Sequence, residues 1–180
     1  MKQYRFLDGS VINVSDETCR GCYLETADSV PAEIVVIWQN CNFSIRQDAE
    51  CPVPGFYIVS ARQHIHTMAD LSVLQATQLG LIIHQLRSYM AEHLSIKRVH
   101  MILEEKWVEP HLHVWLLPLW QDVIQKNNID PKIWNSNILE YVQLFTYDEN
   151  KMKIRRFNNT LKKFLQEDEV LRSLQEESDV

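Results

Sequence analysis

Cys19 and Cys22 form a Cys-x-x-Cys pair, Cys19-Arg20-Gly21-Cys22, in a polar stretch near the start of the chain. Such a pair can offer two thiolates to a metal ion or cycle as a redox dithiol. The redox form calls for a βαβ setting, which the polar and irregular residues 1–31 do not suggest. Plain buried or free thiols are the third reading. Two histidine clusters lie further along. His111-Leu112-His113 stands between Pro110 and the run Val114-Trp115-Leu116-Leu117-Pro118. On a strand the side-chain period is two, so both imidazoles share one face, about 7 Å apart. That arrangement suits a shared metal, or a nucleophile beside a ligand. Arg62-Gln63-His64-Ile65-His66 alternates in the same way after an apolar segment. Either histidine pair alone reads as surface residues. The combination of Cys19, Cys22, a strand-end histidine and His-x-His is a candidate zinc ligand set, because zinc accepts thiolate and imidazole in one tetrahedron. Cys41 and Cys51 read as small apolar structural residues.

The elements that must position these groups follow from patterning. Ile34 to Trp38 is β-branched and continuous and predicts a buried strand. Asn42 to Arg46 alternates and predicts a second strand after a Gln39-Asn40-Cys41-Asn42 turn. Asp48 to Gly55, with two prolines, predicts a loop. Phe56 to Ser60, Val99 to Leu103 and Leu112 to Leu117 predict three further strands. Asp70 or Ser72 can cap a helix that runs to about His93, with Leu71, Leu74, Leu79, Ile82, Ile83, Leu86 and Met90 near helical spacing. Strands, one helix, then strands favour an antiparallel α+β sheet over a parallel one. Beyond Pro118, Pro131 to Tyr147 is expected to be helical in part. Lys151 to Glu177 is expected to be helical, with Ile154, Phe157, Leu161, Phe164 and Leu165 on one apolar stripe. The expected organisation is one domain over 1–125 and a helical C-terminal extension over 126–180 packed on it.

Composition narrows the function classes. The chain has 180 residues, 46% apolar and 23% charged, close to globular norms. A disordered chain, a collagen and a simple coiled coil are excluded. Four glycines, with neither GxxxxGK[ST] nor GxGxxG, argue against a glycine-rich phosphate loop. The net charge of −6 leaves no broad basic surface for nucleic acid. The longest apolar runs are too short to span a bilayer. Met1-Lys2-Gln3-Tyr4-Arg5-Phe6 has no apolar signal core. A cytoplasmic location is expected, where disulfides are rare.

The order of these pieces resembles the histidine-triad superfamily of nucleotidyl hydrolases and transferases, including the galactose-1-phosphate uridylyltransferases. The resemblance rests on Cys19-x-x-Cys22, on Asp48 ahead of Pro54-Gly55 and an apolar strand, and on Arg62-Gln63-His64. It extends to Asp70-Leu71-Ser72 opening a helix and to His111-x-His113 before Leu116-Leu117-Pro118. It implies a five-stranded antiparallel sheet with one long helix, and a homodimer. The resemblance assigns His113 as the nucleophile that attacks the α-phosphorus of a nucleotide, forming a phosphohistidine. A neutral imidazole can do this near pH 7. His111, Cys19, Cys22 and His64 become the four ligands of a structural zinc, with no open position for water. Asp48 becomes the acid that accepts hydrogen bonds from the ribose hydroxyls.

Two departures accompany the resemblance. Trp115 stands where the third histidine would be, or the glutamine of the uridylyltransferases. An indole carries one N–H donor and no charge, so Trp115 can reach a phosphate through that N–H, and is expected rather to fill the nucleotide pocket or offer a stacking surface. The approach segment Leu103-Glu104-Glu105-Lys106-Trp107-Val108-Glu109-Pro110 has Val108 in place of a serine, and its three glutamates are expected to repel a polyphosphate. The expected function is hydrolysis or transfer at the α-phosphate of a nucleotide or nucleotide adduct. The alternatives are a zinc-stabilised nucleotide-binding or regulatory protein without turnover, and an interaction protein working through its C-terminal helix.

Overall fold

The computed structural model describes residues 1–27, 29–129 and 134–176. Pro131 and Glu177, the expected ends of two helical stretches, lie outside them. The chain opens with a hairpin of β1 (Lys2–Arg5) and β2 (Val11–Val14). Its turn is Asp8-Gly9-Ser10, where Gly9 takes φ +84° and Asp8 accepts from the Ser10 backbone and hydroxyl. A short helix α1 (Arg20–Thr26) follows. The expected irregularity of residues 1–31 is therefore corrected to a hairpin and a helix. The hairpin is hidden in sequence because only Tyr4 among its strand residues is buried.

The main sheet has β3 (Trp38–Gln39), β4 (Phe43–Gln47), β5 (Tyr57–Ala61), β6 (Val99–Leu103) and β7 (His113–Pro118). Their order is β3-β4-β5-β7-β6, with every neighbouring pair antiparallel. The fold is α+β with a five-stranded antiparallel sheet, as expected. The predicted strand over Ile34 to Trp38 is corrected: Ala32–Ile34 form a 3₁₀ turn and only Trp38–Gln39 join the sheet. That apolar run divides between two cores. Ile34 packs with Phe6 and Leu7 under the hairpin, while Ile37 and Trp38 enter the main core. Burial without a shared ladder imitates a strand signal.

Helix α2 (Val73–Glu92) lies across one face of the sheet. Ser72 caps it through a reciprocal box: its hydroxyl accepts from Gln75 N at 3.2 Å and Gln75 Oε1 accepts from Ser72 N at 2.9 Å. Asp70 belongs instead to a 3₁₀ turn, where it accepts from Thr67 N. Leu79, Ile82, Leu86 and Met90 are buried, whereas Leu74 faces solvent and Tyr89 takes a core place.

Helices α3 (Gln121–Lys126), α4 (Trp134–Val142), α5 (Tyr147–Glu167) and α6 (Glu169–Glu176) complete the chain. The expected α5 stripe is real. Ile154, Phe157, Leu161 and Leu165 are buried, and the last three join the core formed by α2 and the sheet. Buried Glu33 fastens α5 further, accepting from Tyr147 Oη at 3.0 Å and Arg155 Nε at 2.6 Å. Helix α6 covers the β3 edge, where Gln175 Nε2 donates to Gln39 O.

Alternation along the strands produces the site. Ile45, Tyr57, Val59, Ala61, Val114 and Leu116 point into the α2 core. The opposite face carries Ser44, Arg46, Ile58, Ser60, His113 and Trp115. Register places Ser44, Ser60 and His113 in one cross-strand row and Arg46, Ile58 and Trp115 in the next.

Candidate functional site

That second face is the floor of a cavity of about 300 Å³, at the lower end of the range for small-molecule sites. Arg46, Ile58, Ser60, His113 and Trp115 form the floor. Arg20, Gly21 and Leu24 of α1, residues 48–50, and Lys106, Val108 and Glu109 form the walls.

Beside the floor, Cys19, Cys22, His64 and His111 converge, with one ligand atom from each lying within 4.8 Å of all the others. Three separate segments deliver them. Cys19 is the N-cap of α1 and Cys22 lies in its first turn. His64 lies in the loop after β5, and His111 stands two residues before the start of β7. Cys22 Sγ stands 3.2 Å from His64 Nδ1 and 3.6 Å from His111 Nδ1, and Cys19 Sγ stands 3.5 Å from His111 Nδ1. A zinc tetrahedron with ordinary Zn–S and Zn–N bonds has S···N edges of about 3.6 Å. His111 Nε2 donates to the Ala61 carbonyl at 2.8 Å. That bond fixes the tautomer and leaves the Nδ1 lone pair facing the two sulfurs, the outer support that ligand histidines require. Burial and the neighbouring Cys19 push the Cys22 thiol up to about 11. A divalent cation between the two thiols would relieve that repulsion and deprotonate them. The four side chains are compatible with zinc, and all four positions are filled by protein.

The sequence pattern does not single out Gly21, yet it is part of this geometry. A Cβ at Gly21 would come within 2.6 Å of His111 Nδ1, and closer to two ring carbons. The α1 backbone and the His111 ring can touch only because residue 21, just before Cys22, is glycine.

His113 follows directly. Its Nδ1 lies 2.7 Å from the His111 carbonyl and donates to it. The lone pair is therefore on Nε2. Burial holds His113 below the usual imidazole range, so the ring is neutral near pH 7. Trp115 is tilted by 31° with its ring 5.9 Å away. Asp48 also reaches the cavity, and its Oδ1 accepts from the Glu50 and Cys51 backbone at 3.0 and 2.7 Å. Burial raises its carboxyl above the ordinary range. The structure thus gathers His113, Asp48 and Trp115 around one cavity, with the Cys19, Cys22, His64 and His111 cluster against its wall.

Two features were not read from the sequence. Arg46 is buried in the floor and paired with Glu25 of α1, and it also donates to the Leu24 carbonyl at 2.5 Å. This ties α1 to the sheet; β4 alternates, so in sequence Arg46 looks like an ordinary solvent-facing strand residue. The approach glutamates are all engaged. Glu104 pairs with Lys106 at 3.1 Å, Glu105 accepts from Met68 N at 2.9 Å and Glu109 pairs with Lys2 at 2.5 Å. The cavity lining itself balances Arg20, Arg46 and Lys106 against Asp48, Glu50 and Glu109. The approach is less repulsive than its composition suggests.

No protein-family model and no curated protein matches the sequence. Solved structures do match its fold. A Zn-bound histidine triad family protein from Mycobacterium smegmatis aligns at TM-score 0.52 and 16% identity, over 81% of this chain and 96% of that one. A member of the HIT family from Bacillus subtilis aligns at TM-score 0.48 and 12% identity, over 72% of this chain and 99% of that one. A HIT family hydrolase from Clostridium thermocellum aligns at 0.46 and 19% identity, over 66% and 99%. The chain shares its fold with the histidine triad family protein from Mycobacterium smegmatis. At these identities the likeness is one of architecture, and the chemistry rests on the residues themselves. Among the described residues no helix is long and apolar enough to cross a membrane.

Proposed function

We propose that this chain is a nucleotidyl hydrolase or transferase that works at the α-phosphate of a nucleotide or nucleotide adduct through His113. The observation that carries this reading is the orientation of His113. Its Nδ1–H is spent on the His111 carbonyl, and the ring lines a ligand-sized cavity. In the first step His113 Nε2 attacks the α-phosphorus, the P–N bond forms, and the leaving group departs with the electron pair of the broken P–O or P–N bond. In the second, water or an acceptor hydroxyl attacks phosphorus, loses its proton, and returns the pair to Nε2. Two displacements replace one harder step. Asp48 accepts from the ribose hydroxyls, and its position on the cavity wall supports that role. Cys19, Cys22, His64 and His111 would hold a structural zinc, which would tie α1 to the backbone of His111, on whose carbonyl the His113 tautomer depends.

A panel of nucleoside monophosphate esters and amidates tests the reading. The expected result is turnover of at least one, abolished in His113→Ala with the fold intact. No turnover of any of them, with binding of nucleotide retained, would favour the second reading, a nucleotide-binding protein without catalysis. Trp115 in the third position of the histidine series is the observation behind that alternative.

A further inference from the structure

Trp115 brings no charge to a phosphate, yet a cation sits on it. Lys106 Nζ lies 5.6 Å from the Trp115 ring centroid, a distance at which an ammonium is drawn to an indole face. Lys106, Trp115 and His113 all line the same cavity. The indole is a fixed seat. Its ring meets Phe56 edge-on at 5.8 Å, and its backbone pairs with Ile58 on one side and Ile102 on the other. The segment that carries Lys106 is fastened on both sides of it, by Glu105 to Met68 N and by Glu109 to Lys2. Arg46, the cation of the floor, is committed to Glu25, Ser44 and the Leu24 carbonyl, and Arg20 on the wall is committed to Glu50 and the Arg5 carbonyl. Lys106 is differently placed. It pairs with Glu104, and both side chains are nearly half exposed. A pair of that kind contributes little and exchanges partners readily.

We infer that Lys106 is the phosphate-binding cation of this site, and that Trp115 serves as its platform rather than as a direct donor. The inference rests on the reading of His113 as a nucleotidyl-transfer residue and deepens it. A lysine on a seat supplies the positive charge that Trp115, an indole with one N–H and no charge, does not. Glu104 is the counter-ion that a phosphate displaces, which keeps the ammonium solvated and in place between turnovers. Lys106 contacts the phosphate; Trp115 is a positioning residue.

The test compares binding of adenosine and uridine 5′-monophosphates with binding of the corresponding nucleosides. In the unaltered protein the monophosphates should bind more tightly. Lys106→Ala should weaken them about tenfold or more while leaving the nucleosides unchanged, and Lys106→Arg should restore most of the difference. Trp115→Phe should keep the preference. Trp115→Leu should lose it, and the double variant Lys106→Ala with Trp115→Leu should be little worse than either single change. Glu104→Gln should strengthen monophosphate binding. If Lys106→Ala keeps the full preference for monophosphate, the inference is overturned and the role of His113 is untouched. If the unaltered protein does not distinguish monophosphate from nucleoside, there is no phosphate subsite, and both the inference and the proposed function fall. Lys106 is solvent-exposed enough that its replacement leaves the fold intact, so the outcome does not depend on the Trp115 variants.

Discussion

Gly21 of α1 lies directly against the ring of His111, with no room between them for a methyl group. The contact joins the segment that presents both cysteines to the residue whose carbonyl orients His113. A side chain at position 21 must push either α1 or the imidazole away, and both carry proposed metal ligands.

Gly21→Ala should therefore cost about 1–3 kcal/mol from overpacking and sharply reduce the metal content of the purified protein. Gly80 provides the contrast. It lies exposed within α2 with nothing near its missing Cβ, so Gly80→Ala should stabilise the fold by about 1 kcal/mol with metal content unchanged. Thermal unfolding and elemental analysis of the two variants check both halves. Equal metal content in Gly21→Ala would remove the steric argument.

This contact also shows what could be read from the sequence. Helix α2 was legible because Ser72 and Gln75 form a local capping box and the core side chains recur at helical spacing. The β7 motif was legible because alternation alone puts His113 and Trp115 on one face. Helix α1 was not legible. It is seven residues long, contains a glycine and has no side-chain cap. It is held by contacts from distant parts of the chain: Arg46 to the Leu24 carbonyl, Glu25 to Arg46, and Tyr23 edge-on against Tyr4 at 6.0 Å. The ligand residues could be nominated by type and spacing, but their convergence depends on this helix. The Ile34 to Trp38 error has the opposite cause: a run buried in two different cores has the composition of a strand without its ladder.

The Glu25–Arg46 pair should behave as a buried ion pair, since each side chain is 3% exposed. Glu25→Ala leaves the Arg46 guanidinium without its carboxylate, with Arg62 close by on the same acid. The expected cost is about 3–5 kcal/mol. Combining it with Arg46→Met removes the stranded charge and should recover most of that loss. Urea unfolding midpoints of the single and double variants measure it. A single-variant cost below about 1 kcal/mol would mean that α1 is not fastened through this pair.

Protein purified without added metal should contain close to one zinc per chain. Cys22→Ser or His64→Ala should lower that value, and a strong chelator should lower both metal content and thermal stability together. Because thiolates and neutral imidazoles are the binding forms, acidification protonates the ligands and releases metal. Stability contributed by the site is present at neutral pH and lost as pH falls. A chelator-treated protein that is free of metal and melts unchanged would refute the four-residue assignment.

On the proposed function, His113 Nε2 forms a covalent bond to phosphorus during turnover. This is tested most directly by mass analysis of the protein during turnover of a nucleotide substrate, quenched under alkaline conditions, where a P–N bond survives. The expected result is a nucleoside monophosphate, less one water, on the peptide containing His113, and no such adduct in His113→Ala. Turnover without an adduct, or the same adduct in the His113→Ala protein, would contradict it.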